Sequence, residues 1–270
     1  MNAMSVASAS WKTHGRVVVE SGTANPWDPP LRIPSPVMLH RWQHLSFLHW
    51  PYPAPAVQAL LPEGLEVDTF DGSAWVGLIP FRLTVTLPGI PTLPWINSCP
   101  EVNVRTYVRG PDGGRGIWFL SLEASRLGAV LTARKAYGLP YRWAGMRLDR
   151  DERTIWYETV RRWPGRRPRE VIALALGEPV PSEELTPLEI FLTARWRLYS
   201  SWRRGLAATE VEHVAWPTQR AEPLCVHDEL IPAAGLPVPV GAPLALFSPG
   251  VSVRFGPRRQ LGATLGAVVP

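Results

Sequence analysis

Apolar residues in this chain recur mainly at every second position, in short runs closed by Gly, Pro or Asp. HLSFLHW (44–50), LEVDTF (65–70) and SAWVGLIPFRLTV (73–85, after an Asp-Gly turn) predict strands. APAVQALL, between the first two, predicts a short helix closed by Pro62 and Gly64. EVNVRTYV alternates so that Glu101, Asn103, Arg105 and Tyr107 share one face, with Val102, Val104, Thr106 and Val108 on the other. The apolar face is core; the polar row faces solvent or lines a wet cavity.

Beyond a PDGG turn, GIWFLSLEA predicts another strand. The next helix runs from a Ser125 cap to a Gly138 stop. LPYRWAGMRLDR and RTIWYETVRRW predict a hairpin, REVIALALGE a strand, and TPLEIFLTARWRLYSSW a long helix opened by a Thr186–Glu189 capping box with Pro187 at its first position. A strand at TEVEHVAWP, a short helix from Pro223 to Ile231 and a strand pair in LALFSPGVSVRF complete the chain. About ten strands, few helices and no β-α-β rhythm predict one mainly β (α+β) domain over residues 37–270, a bent sheet or barrel with peripheral helices. Residues 1–36, with NPWDPPLRIPSP, predict a flexible Pro-rich segment.

Composition narrows the function. The net charge of +5 concentrates in RRWPGRRPRE (161–170), which reads as a solvated hairpin tip, and no nucleic-acid motif accompanies it. No apolar run is long enough to cross a membrane and no secretory leader opens the chain, so the cytoplasm is the expected compartment. Cys99 and Cys225 are too few for a disulfide framework. At strand spacing His40 and His44 point one way and His49 the other, so no metal is expected. Phosphate loops and a nucleophile elbow are missing, and no cofactor is expected. The apolar content is compatible with a homo-oligomer.

Of 28 basic residues only Lys12 and Lys135 are lysines, and Lys135 lies in ARKAYGLPYRWAG (133–145). Together with LLPEGLEVDTFDG, PEVNVRTYV, FLTARWRLY and EHVAWP, in this order and spacing from about Trp42 to Pro237, that stretch resembles the YqjF-like family, the domain-of-unknown-function group numbered 2071. The family is similar in pattern to acetoacetate decarboxylases, which implies their cone-shaped β-barrel. Ala59 to Asp68, Glu101, and Arg134 through Arg142 match the decarboxylase pattern in register. In that match Tyr141 stands where the Schiff-base lysine would be, and Arg142 where a second lysine would follow. A phenol forms no imine and a guanidinium stays protonated, so Schiff-base decarboxylation is excluded.

Two functional readings remain. In the first, Glu101 is a general base, Tyr141 a proton donor, and Arg142 or Arg105 a carboxylate anchor, with Tyr107, His49 and Arg134 also in contact with a small oxo-acid or phenolic substrate. In the second, the same cavity binds or senses a small molecule without turnover. Against both stands plain packing: Tyr141 inward, Arg142 in solvent, and Glu101 ion-paired to Arg105 or Arg134.

Overall fold

The computed structural model describes residues 28–89, 97–202 and 205–261. Residues 1–27, most of the predicted flexible segment, lie outside the described residues. The segment that follows is partly docked: Ile33 is buried, and its amide donates to Glu212 Oε2 at 2.5 Å.

The described elements are β1 (Met38–Pro53), α1 (Ala54–Gln58), β2 (Glu66–Val67), β3 (Ser73–Thr86), β4 (Ser98–Arg109), β5 (Arg115–Ala124), α2 (Leu127–Tyr137), β6 (Tyr141–Arg150), β7 (Thr154–Trp163), β8 (Arg169–Val180), a 3-10 turn (Ser182–Glu184), α3 (Pro187–Thr193), β9 (Arg197–Trp202), β10 (Gly205–His213), β11 (Thr218–Asp228), α4 (Leu230–Ala233), β12 (Leu244–Phe255) and β13 (Arg259–Gln260). The strands form one 13-stranded sheet that closes on itself twice. One circuit runs β4-β5-β6-β7-β8-β11-β12-β1-β3 and back to β4; the other runs β5-β9-β10-β12-β1-β3-β4 and back to β5. The two share β12, β1, β3, β4 and β5.

The fork is visible in the register. On β5, Ile117 and Trp118 pair with β9, whereas Leu122 to Ala124 pair with β6. On β12, Leu246 and Phe247 pair with β11, whereas Val253 to Phe255 pair with β10. The shared wall is therefore covered on both faces, and each face has its own core. Leu48, Trp50, Val102 and Val104 pack with Ile155, Tyr157, Ile172 and Leu174 inside the first circuit. Phe47, Ile79 and Phe81 pack with Val211, Trp216 and Phe255 inside the second. A strand buried on both faces carries no solvent side, so the polar row of β4 is interior: Glu101, Asn103, Arg105 and Tyr107 are all buried.

Several sequence expectations are corrected. The long helix from Thr186 keeps its capping box but ends at Thr193. RLYSSW then pairs as β9 between β5 and β10, because alternating Leu198 and Tyr199 fill opposite cores. Pro223 lies within β11 at a bulge, so the short helix starts later, at Leu230. LALFSPGVSVRF is one strand and not a pair, and it passes through Gly250, whose φ of 128° suits glycine. No Ser125 side chain caps α2, although Gly138 closes it at φ 64°. RRWPGRRPRE is not wholly solvated: Arg161 and Glu170 are buried.

Candidate functional site

The first polar group is Glu101, near the start of β4, beside Ala124 of β5 and Phe81 of β3. Tyr141 opens β6, two strands away, opposite Leu122. Its hydroxyl donates to Glu101 Oε2 at 2.9 Å. Arg134, on the last turn of α2, donates to the Tyr141 carbonyl at 2.6 Å and so fixes where the strand begins. Glu101 makes no ion pair among the described residues, contrary to the packing alternative. Burial pushes its carboxyl up from 4.5 to about 8, with the Tyr141 hydrogen bond opposing. Burial and the neighbouring Glu101 hold the Tyr141 phenol well above its ordinary value. Cys99, two residues before Glu101 on the same face, is pushed up to about 11 by burial and then by Glu101.

Further along the same face, Tyr107 donates to the Leu192 carbonyl at 2.7 Å. With its one proton used there, the phenol oxygen accepts from His49 Nε2 at 2.6 Å, which makes Nε2 the protonated nitrogen. Burial and then Arg105 hold the His49 pKa well below its usual value, so the ring is neutral. Arg105 Nη2 donates to the Leu192 carbonyl at 3.1 Å. Arg105 Nε, Asn103 Oδ1 and His49 Nδ1 are buried without a hydrogen-bond partner. A bulge in β1 between Gln43 and Leu48 changes the strand phase, so His40 and His49 face the same core and not opposite ones.

Arg142 does not join Glu101. One residue on from Tyr141, it projects to the other face of β6, opposite Glu123, where it is half-buried with its Nε enclosed. There a second polar cluster lies inside the first circuit. Arg161 spans both oxygens of Glu123, Nη2 to Oε1 at 2.6 Å and Nε to Oε2 at 3.1 Å, and Ser121 donates to Oε1 at 2.5 Å. Glu170, fully buried, faces Thr159 across β7–β8, and burial pushes its carboxyl up to about 8. Glu123, Arg161 and Glu170 were missed in the sequence. The signal was alternation: Ser121 and Glu123 share one side of an otherwise apolar strand. A third cluster centres on buried Asp68, which receives Arg109 at 3.0 Å, Arg115 at 2.7 Å and Arg195 at 3.2 Å. Among the described residues no group of three or more His, Cys, Asp or Glu is arranged to hold a metal ion.

A forked, doubly closed sheet of this kind is an acetoacetate decarboxylase-like fold. The chain superposes on an acetoacetate decarboxylase-like enzyme from Sphingomonas wittichii RW1 with a TM-score of 0.61 at 12% identity, covering 87% of this chain and 99% of that one. It superposes on acetoacetate decarboxylase from Legionella pneumophila with a TM-score of 0.58 at 12% identity, over 92% and 100% of the two chains. For the enduracididine biosynthesis enzyme MppR complexed with pyruvate the TM-score is 0.58 at 15% identity, over 84% and 91%. Within this fold the chain belongs to the family of uncharacterised conserved proteins defined by domain of unknown function 2071, whose model matches residues 40–252. It is 33% identical over 228 residues to the uncharacterised protein YqjF of Bacillus subtilis (strain 168), covering 83% of this chain and 92% of that protein.

Proposed function

We propose that the chain binds a small oxo-acid or phenolic acid along the polar face of β4 and moves a proton on it through the Glu101–Tyr141 pair, with no covalent intermediate. The observation that carries the proposal is a buried carboxyl near pKa 8 whose hydrogen bond comes from a phenol and not from a cation. A group titrating there exchanges a proton at neutral pH in either direction, as enolisation, tautomerisation or dehydration require. Tyr141 supplies the hydrogen bond that stabilises a developing oxyanion. Arg105, with Nε unpartnered, is the carboxylate anchor, and Asn103 Oδ1 and His49 Nδ1 are further polar contacts. At about 3.4 Å per residue, Glu101 and Arg105 lie roughly 14 Å apart along the backbone, which favours a ligand longer than pyruvate.

A binding or sensing role without turnover is the second reading. It is favoured by the position of Arg142, on the opposite face of β6 from the pair. One experiment separates them. Oxo-acids and hydroxybenzoates are screened by thermal shift, and each hit is incubated with protein and analysed by mass spectrometry. Product from wild type that drops about 100-fold or more in Glu101→Gln supports proton transfer. Ligand returned unchanged supports the second reading, and unaltered turnover in Glu101→Gln contradicts the first.

A further inference from the structure

α2 carries the crossover between the parallel strands β5 and β6, and it leaves a cleft of about 780 Å³ against β5, β6 and β9. The cleft is lined by three cations, Arg134, Lys135 and Arg142, and by no acidic residue. Its remaining wall is largely apolar and includes Trp118, Leu120 and Leu131, the last 49% exposed. We infer that this cleft is a binding site for an amphiphilic monocarboxylate, with its head among the three cations and an apolar or aryl body along α2.

The charge balance supports the anionic head. The carboxylate facing Arg142 is Glu123, and both of its oxygens are already engaged by Arg161 and Ser121. Arg142 Nε is buried without a hydrogen-bond partner. Arg134 and Arg161 add like charge beside Arg142. Lys135 forms no ion pair among the described residues. A guanidinium with a free edge takes a carboxylate in a two-point contact, and Lys135 adds a point charge. The volume and the apolar wall fix the rest of the ligand class, because a cleft of several hundred Å³ holds a body well beyond the head group. Exposed Leu131 has an occupant to cover it only if that body is apolar.

The inference does not rest on proton transfer at Glu101, whose partner Tyr141 points to the other face of β6 from Arg142. It is tested by isothermal titration calorimetry of the full chain with 3-phenylpropanoate and its neutral counterpart 3-phenylpropan-1-ol. The acid is expected to saturate one site per chain and the alcohol to bind at least about tenfold more weakly. Leu131→Glu, at an exposed helix position, sets a carboxylate in the wall that the apolar body covers, beside the head's cations, and should weaken the acid about tenfold or more. Lys135→Gln should weaken it about threefold. Glu101→Gln should leave it unchanged. Absence of saturable binding, equal binding of the alcohol, unchanged affinity in either cleft variant, or loss of binding in Glu101→Gln overturns the inference.

Discussion

Tyr141 donates its phenol proton to Glu101 across 2.9 Å, from a strand two places away in the sheet. Burial keeps the carboxyl half-titrated near pH 8 instead of 4.5. The interior of this fold thus holds a buried carboxyl hydrogen-bonded to a phenol.

Between about 4.5 and 8 the unfolded chain sheds the Glu101 proton while the folded chain keeps it. The folded state binds more protons, so stability falls as pH rises through that window and levels above it. Glu170, also raised to about 8, adds a contribution of the same sign. Glu101→Gln removes the first of these contributions. The variant should gain on wild type as pH rises from 5 to 8, by at most about 1.4 kcal/mol per pH unit. Urea unfolding at a series of pH values checks this; a pH-independent difference contradicts it.

Arg161→Met leaves Glu123 buried beside Ser121 with its main counter-charge gone. An uncompensated interior carboxylate costs about 3–5 kcal/mol. Adding Glu123→Gln to the same chain should restore most of the loss, because two neutral groups need no counter-charge. Chemical denaturation of the two variants reads both effects. A loss below about 1 kcal/mol in the single variant would show that the ion pair is not needed.

Gly77 leaves room for a ring. A Cβ there would lie 2.8 Å from His49 Nε2, the nitrogen that donates to Tyr107. Gly77→Ala should therefore push His49 aside and cost about 1–3 kcal/mol. In a His49→Ala background the same substitution should cost much less, as a double-mutant cycle would record. Equal costs in both backgrounds would rule out the clash.

Much of the frame was legible in the sequence because its strands alternate and its turns carry Gly, Pro and Asp. The regular alternation of Glu101 to Val108 identified the polar row residue by residue. What it could not show was that both faces of β4 are enclosed, since that depends on β9 and β10 closing the second circuit. RLYSSW read as helix because Thr186, Pro187 and Glu189 are strong helix-start signals; its strand state comes from pairing with β5 and β10, which is non-local. Tyr141 and Arg142 looked like partners by adjacency, yet strand alternation sends them to opposite faces. Glu123 and Arg161 were hidden for a related reason: their bond joins residues 38 positions apart, and an arginine-rich turn looks solvated until its strand is placed.

The most direct test is the titration of the Glu101 side chain itself, followed by carbon NMR of protein labelled at its glutamate carboxyls and assigned with Glu101→Gln. The expected midpoint is about 8 in wild type, and higher in Tyr141→Phe because the phenol hydrogen bond holds it down. A midpoint near the ordinary 4.5, unmoved by Tyr141→Phe, would contradict the Glu101–Tyr141 pair as a proton-exchanging site.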